Sequence, residues 1–293
     1  VEANFLTNVF FPFLAMVITF GLGLTLTLDD FKRLVLEPRT VIIGLISQLA
    51  LLPLVGFGLA YLFGLTPELA VGLIIVAAAP GGTTANMANH LLKADTALSI
   101  TLTSMSGLVA FLTMPFWISL ALAIFMATAG PVAVPFSRLA LPVAILTLIP
   151  VGAGLFVGWR WPGLAKRAKP LVSVGSGVLL IIGIGALLID LRENLVTLLV
   201  QAGPVTAALC FSTMLLGYVL ASLFRLSQAA RRALVVETGL QNIPLALTVA
   251  AGILANPRFA IPPAAYSLVM IFLLALILGR VIVSRPVPWN RQL

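Results

Sequence analysis

Leu234-Val235-Val236-Glu237-Thr238-Gly239-Leu240-Gln241-Asn242-Ile243-Pro244 sets a carboxylate, two side-chain amides, a glycine and a proline inside a segment otherwise apolar enough to span a bilayer. A carboxylate at the centre of a membrane helix costs about 2.5–3.5 kcal/mol on insertion scales, so Glu237 is expected to face a cavity and hold a partner such as a cation or a proton. The helix is expected to break here, near its middle, because Gly239 frees the backbone and Pro244 lacks a donor.

A second interruption lies at Ala79-Pro80-Gly81-Gly82-Thr83-Thr84-Ala85-Asn86, about midway along another apolar segment. Each break frees amides and carbonyls that hydrocarbon cannot satisfy, so both are expected to lie against protein or beside a wet cavity. A single Pro-Gly-Gly reads equally well as a plain kink; a second break carrying Glu, Gln and Asn argues against that. Two interrupted helices, one in each half of a chain, point to a secondary transporter with a site at the bilayer midplane.

Composition agrees. The 293 residues are 61% hydrophobic and 9% charged, with a mean hydropathy of +1.16, which excludes a soluble domain with a polar surface and implies an all-α polytopic membrane protein. The net charge of +8 does not point to nucleic acid, because the basic residues fall in short clusters between apolar runs without interleaved aromatics. One cysteine, Cys210, and one histidine, His90, exclude a disulfide framework and any metal site built from several such ligands. Cys210 reads as a small apolar helix residue.

Nine segments are long enough to cross about 30 Å of hydrocarbon: Phe5 to Thr27, Thr40 to Phe63, Glu68 to Leu92, Thr96 to Phe125, Leu139 to Trp159, Leu171 to Asp190, Pro204 to Phe224, Leu234 to Leu254 and Ala265 to Ser284. One set of flanks holds Lys32, Arg33, Arg39, Lys93, Arg160, Lys166, Arg167, Lys169, Arg225, Arg231, Arg232, Arg280, Arg285 and Arg291, fourteen of the 17 basic residues; the other holds Arg138, Arg192 and Arg258. The positive-inside bias then places the N-terminus outside and the C-terminus in the cytoplasm, across the inner membrane of a cell. The third segment runs inward and the eighth outward, as an inverted repeat requires. No soluble domain or long linker interrupts the spans, so residues 1–293 read as a single membrane domain. The chain opens with Val1 rather than Met, and its first apolar run lacks a basic leader and reads as a true span. Trp159 and Trp161 read as interface anchors, and Asp190 and Glu193 as water-facing residues at an outer helix end.

Sodium, a hard cation, is satisfied by carbonyl, hydroxyl, amide and carboxylate oxygens, and the segments near the breaks supply that set. Glu237 contributes the negative charge; Gln48 lies mid-span, Asn86 just past the first break, and Ser99 and Thr103 four apart on one helix face. The half-helices that follow each break begin with unpaired amides and a positive dipole end, which suits an anionic substrate group. Thr83, Thr84 and Asn242 are placed to bond such a group.

At these residues the chain resembles the bile acid:sodium symporter family, whose bacterial members take up bile acids or smaller organic acids such as pantoate. Pro80-Gly81-Gly82-Thr83-Thr84-Ala85-Asn86 is similar to that family's Pro-Gly-Gly-Thr/Ser-x-Ser-Asn crossover, and Glu237-Thr238-Gly239-Leu240-Gln241-Asn242 to its Glu-x-Gly-x-Gln-Asn motif. The Leu98 to Ser104 stretch and Gly21-Leu22-Gly23-Leu24-Thr25-Leu26 extend the similarity over most of the chain. The resemblance implies a panel domain (residues 5–27, 139–159 and 171–190) and a core domain (40–125 and 204–284) in which the two broken helices cross. It implies two sodium ions. Carried over by position, Asn86, Ser99, Thr103 and Glu237 would hold the first; Gln48, Glu237 and Gln241, with the carbonyls of Thr238 and Leu240, the second. Gly82, Thr83, Thr84 and Asn242 would meet an organic anion in the crevice between the domains, and transport would proceed by alternating access.

Two departures stand out. Ala85 replaces the hydroxyl that often precedes the crossover asparagine, weakening the first cation set unless Thr84 compensates. The final segment reads Val269-Met270-Ile271-Phe272 where bile-acid binders often carry a His-Asn pair, which favours a small carboxylate. A proton-coupled or uncoupled anion carrier remains the nearest alternative. An intramembrane enzyme lacks a paired-aspartate or Ser-His arrangement, and a channel lacks a ring of selective groups. His90, near the cytoplasmic end of its span, reads as an interfacial residue with a structural hydrogen bond.

Overall fold

The computed structural model describes residues 5–26, 36–127, 135–190, 192 and 195–283. In chain order the elements are α1 (Phe11–Thr25, led by a π turn over Leu6–Phe10), α2 (Pro38–Leu62), α3 (Pro67–Ala78), α4 (Thr83–Leu91), α5 (Thr96–Phe125), α6 (Phe136–Arg160), α7 (Pro162–Asp190), α8 (Leu195–Leu223), α9 (Gln228–Gly239), α10 (Ile243–Ile253) and α11 (Ile261–Val283). Seven of these, α1, α2, α5, α6, α7, α8 and α11, are long and apolar enough to cross a membrane. The third and eighth apolar segments are each a pair of shorter helices, α3 with α4 and α9 with α10, so both expected breaks are present. Val1, Thr27, Lys32, Arg33, Glu193, Ser284, Arg285 and Arg291, which entered the reading of spans and orientation, lie outside the described residues.

Local chemistry explains where the helices start and stop. Pro38, Pro67 and Pro162 open helices, a position where the missing N–H forfeits no bond. Asp95 caps α5 by accepting from Leu98 N at 2.9 Å, and Ser227 caps α9 by accepting from Ala230 N at 3.1 Å. Ala79, which precedes Pro80, is extended at φ −66 and ψ 142, because the proline ring disfavours helical dihedrals one residue upstream. Pro244 does not itself make the second break. It sits in the first turn of α10, and the chain departs from helix at Leu240 (φ −118, ψ 101).

The helices pack in two groups that share α5. In one, α1 lies against α6 and α7, and α6 also packs on α5. In the other, α3, α4 and α9 pack on α5, while α8 joins α9 and α11. Large apolar side chains such as Leu141, Ile149, Ile181 and Phe272 point outward, the pattern of a surface solvated by hydrocarbon. Trp159 and Trp161 are exposed.

The tightest helix pair is α1 with α6, where Gly23 and Gly154 let the backbones touch: a Cβ on Gly23 would fall on the carbonyl of Val151, and one on Gly154 on the carbonyl of Phe20. Gly23→Ala is therefore expected to lower the apparent melting temperature of the purified protein, overpacking costing about 1–3 kcal/mol. Gly58→Ala, which meets nothing within 4 Å, is expected to leave it unchanged or raised, since alanine is the better helix former.

Candidate functional site

The two breaks satisfy one another. Asn242 N donates to Pro80 O at 2.9 Å and Gly82 N donates to Leu240 O at 3.4 Å, making an antiparallel bridge between Gly81 and Gln241. Backbone groups that hydrocarbon would leave unpaired are thereby paired. Four helix ends meet at this crossing: the C-termini of α3 and α9 and the N-termini of α4 and α10.

Glu237 lies one turn before the second break and is fully buried. Its Oε1 accepts from Ser99 Oγ and, at 2.7 Å, from Thr103 Oγ1; its Oε2 accepts from Gln48 Nε2 at 2.9 Å. Among the described residues no lysine or arginine pairs with it. Hydrogen bonds to a charged group contribute about 1.5–3 kcal/mol each. Three of them offset the several kcal/mol needed to dehydrate a carboxylate, but leave its charge unmatched.

Asn86 completes a cluster of oxygens. Its Oδ1 lies 2.7 Å from Ser99 Oγ and 3.2 Å from Thr103 Oγ1. Each hydroxyl has one proton to give, yet each faces both the Asn86 oxygen and the Glu237 carboxylate, so Asn86, Ser99, Thr103 and Glu237 gather more lone pairs than hydrogens. A hard cation fits that surplus. Among the described residues no three His, Cys, Asp or Glu come together, so the donor set does not fit a transition metal.

The second set is adjacent. Gln241 Nε2 donates to Thr238 O at 3.0 Å, Gln48 Nε2 also approaches Glu237 O at 3.4 Å, and Oε1 of both glutamines is buried without a partner. Each amide nitrogen occupies an oxygen that a cation would take. Reversing either amide about its last side-chain bond brings its orphaned oxygen to the same place, so these residues too fit a cation. Gln48 sits in a π turn over Ser47–Leu51, whose extra residue shifts the helix register. Trp117 Nε1 donates to Leu49 O within that turn at 2.7 Å.

On the other side of the crossing, Gly82, Thr83, Thr84 and Asn242 line one small cavity of about 30 Å³, which Ile18 of α1 and Leu180 and Ile184 of α7 close from the opposite side. Asn242 Oδ1 caps α10 by accepting from Leu245 N at 3.2 Å, while its Nδ2 is a buried donor without a partner. Thr84 faces this cavity and forms no bond to the oxygen cluster. A larger cavity of about 270 Å³ adjoins it, sharing Ile18 and Thr83 and reaching Asn86, Lys169 and His90. His90 has no structural hydrogen bond: among the described residues it is exposed and lines this cavity, because it ends α4 where the helix leaves the packed interior.

Asn89 went unmarked in the sequence. It is fully buried and donates from Nδ2 to Ser99 Oγ at 2.8 Å and to Ala233 O at 3.5 Å, while its Oδ1 has no partner. It stands four positions after Ala85, which puts both on one face of α4; that spacing is the available signal.

In sequence the chain is similar to known transporters. A model described as the sodium bile acid symporter family matches residues 12–198. The chain is 38% identical over 264 residues to an uncharacterized sodium-dependent transporter of Bacillus subtilis, covering 86% of this chain and 76% of that protein. It is 30% identical over 253 residues to a probable chloroplastic sodium/metabolite cotransporter of Arabidopsis thaliana, covering 84% of this chain and 60% of the plant protein. It is 27% identical over 257 residues to the human ileal sodium/bile acid cotransporter, covering 85% and 72%.

A Cβ on Gly81 would lie 2.5 Å from Glu237 Oε2 and 3.3 Å from Gln48 Nε2. Gly81→Ala is expected to lower the apparent melting temperature by displacing the carboxylate, at a cost of about 1–3 kcal/mol. Thermal unfolding of purified variant and parent checks it.

Proposed function

We propose that this chain, which belongs to the sodium bile acid symporter family, carries a small organic anion across the membrane together with sodium by alternating access. The observation that supports this most is Glu237: a buried carboxylate without a basic partner among the described residues, ringed by oxygens that outnumber their protons. In this reading Asn86, Ser99, Thr103 and Glu237 hold one sodium, with Asn89 orienting the Ser99 hydroxyl where Ala85 offers none. Gln48, Gln241, Glu237 and the carbonyls of Thr238 and Leu240 hold a second. The bound cations match the charge that hydrogen bonds alone leave unmatched.

The anion meets the amide ends of α4 and α10, where Gly82 permits close approach, Thr83 and Thr84 offer hydroxyls and Asn242 Nδ2 is a buried donor awaiting an acceptor. A free donor of this kind costs about 1–3 kcal/mol until an acceptor arrives. The adjoining space of about 270 Å³ falls below the roughly 300–1,000 Å³ of pockets for drug-sized ligands. That size, with Val269-Met270-Ile271-Phe272 in α11, favours a small carboxylate over a bile acid. The relatives bear names that mention sodium, metabolites and bile acid, and sodium is the element they share.

Both cavities have α1 and α7 on one wall; facing them are residues of α4 in both and, in the smaller, the start of α10 as well. Alternating access then consists of the α1, α6 and α7 panel moving against the core that holds the crossing, so that Thr83 and Asn242 face one side of the membrane and then the other.

Two measurements test the reading. In proteoliposomes, replacing sodium with choline at fixed pH is expected to abolish accumulation of a labelled small organic acid, whereas undiminished accumulation would assign the coupling to protons or to none. Glu237→Gln is expected to melt no lower than the parent in sodium-free buffer, because a buried charge is removed. It should lose the sodium-dependent rise in melting temperature. Asn89→Ala is expected to weaken that rise by about 10–100-fold in sodium affinity, the range for partners that orient a metal's ligands.

A further inference from the structure

A cavity of about 570 Å³ lies away from the crossing, between α8, α9 and α11, at the end of the bundle that the lysine and arginine bias assigns to the cytoplasm. Its polar wall is Arg231, Arg232, Gln228 and Tyr218, its apolar wall includes Met214, Leu273 and Ile277, and among the described residues no acidic side chain lines it. Among the described residues neither arginine forms an ion pair. The Arg231 guanidinium lies over the Tyr218 ring at 5.5 Å, and its Nε is buried without a hydrogen-bond partner. Stacking occupies the face of the guanidinium and leaves its N–H edge to be satisfied by an acceptor.

The acceptor has to be anionic and must also suit hydrocarbon. Leu276 on the rim is 54% exposed, and Phe211 and Leu215 on the outer face of α8 are exposed too, both at 61%, so the apolar wall runs onto the lipid-facing surface. A soluble anion would satisfy the arginines and leave that wall unused. A neutral lipid would cover the wall and leave two guanidiniums without a counter-charge. We propose that this cavity binds one anionic phospholipid, its phosphodiester between Arg231 and Arg232 and an acyl chain along Met214, Leu273 and Ile277. Basic pockets between helices on the cytoplasmic side are suited to anionic headgroups, and the first turn of α9, capped by Ser227, adds its positive end. Arg231 stands six residues before Glu237 on the same helix, about 9 Å along the axis, so the lipid grips the half-helix that carries the buried carboxylate.

The test uses the full chain purified in a neutral detergent and read by native mass spectrometry and thermal unfolding. Mixed micelles containing phosphatidylglycerol are expected to give one retained lipid per protein and a raised melting temperature; phosphatidylcholine at equal content and inorganic phosphate are expected to give neither. The double variant Arg231→Gln and Arg232→Gln is expected to bind phosphatidylglycerol at least about tenfold more weakly, tenfold being 1.4 kcal/mol. Equal retention of phosphatidylcholine by the parent would overturn the proposal. So would full competition by inorganic phosphate, which would make this a soluble-anion site. The headgroup comparison on the parent decides the matter even where the double variant fails to fold, and unchanged retention by a folded double variant also overturns it.

Discussion

Two backbone hydrogen bonds, Asn242 N to Pro80 O and Gly82 N to Leu240 O, are the contact on which the rest of this molecule depends. Each broken helix alone would expose unpaired amides and carbonyls to a medium that cannot solvate them. Crossed, each supplies what the other lacks. The bridge also fixes distances: it brings Gly81 against the Glu237 carboxylate and leaves no room there for a Cβ. The helix that carries Ser99 and Thr103, α5, runs unbroken from Thr96 to Phe125 and packs on α3, α4 and α9, holding both hydroxyls against the carboxylate while the segments around it deviate from helix.

Much of this was legible in the sequence because it violates the rules of an apolar span. Glu237, Pro80, Gly81 and Gly82 are each costly in hydrocarbon, and a residue with a cost has few explanations. The spacing of Ser99 and Thr103 was equally direct, since four residues bring side chains to one helix face. What escaped notice was inexpensive or ambiguous. Asn89 violates nothing at the end of a short helix, and only its contact with Ser99 gives it a role. The π turn at Ser47–Leu51 escaped because one added residue hardly disturbs hydrophobic periodicity. Among the described residues His90 lacks the expected structural hydrogen bond, which the sequence does not reveal because a charge pattern says which end of a helix a residue occupies, not whether that end is packed. Arg231 reads in the sequence as a topology marker, and its stacking on Tyr218 depends on a neighbouring helix that no local pattern reveals.

The α1–α6 contact obeys a different logic. Gly23 and Gly154 let two backbones meet with no side chain between them, the small-residue packing that substitutes for the hydrophobic effect where the solvent is itself apolar. The crossing, by contrast, is held by polar groups around a space. The chain thus keeps close-packed surfaces in the helix pair remote from Glu237, while four of the seven buried polar side-chain atoms without a partner among the described residues, Gln48 Oε1, Asn89 Oδ1, Gln241 Oε1 and Asn242 Nδ2, lie in the broken-helix region.

The four helix ends at the crossing form an electrical quadrupole. Two C-termini present carbonyls, two N-termini present amides, and with roughly half an elementary charge at each end their sum is close to zero. Such an arrangement has no long-range field to attract ions of one sign, yet within a few ångströms it has one face that favours positive charge and another that favours negative. Glu237 adds a single negative charge to the first face. If two cations bind there, as proposed, they would overshoot it by one, and the excess would be felt at the amide face, where a monoanion would restore neutrality. On that proposal the affinity for the anion would be largely created by the ions, and by reciprocity the anion would tighten theirs.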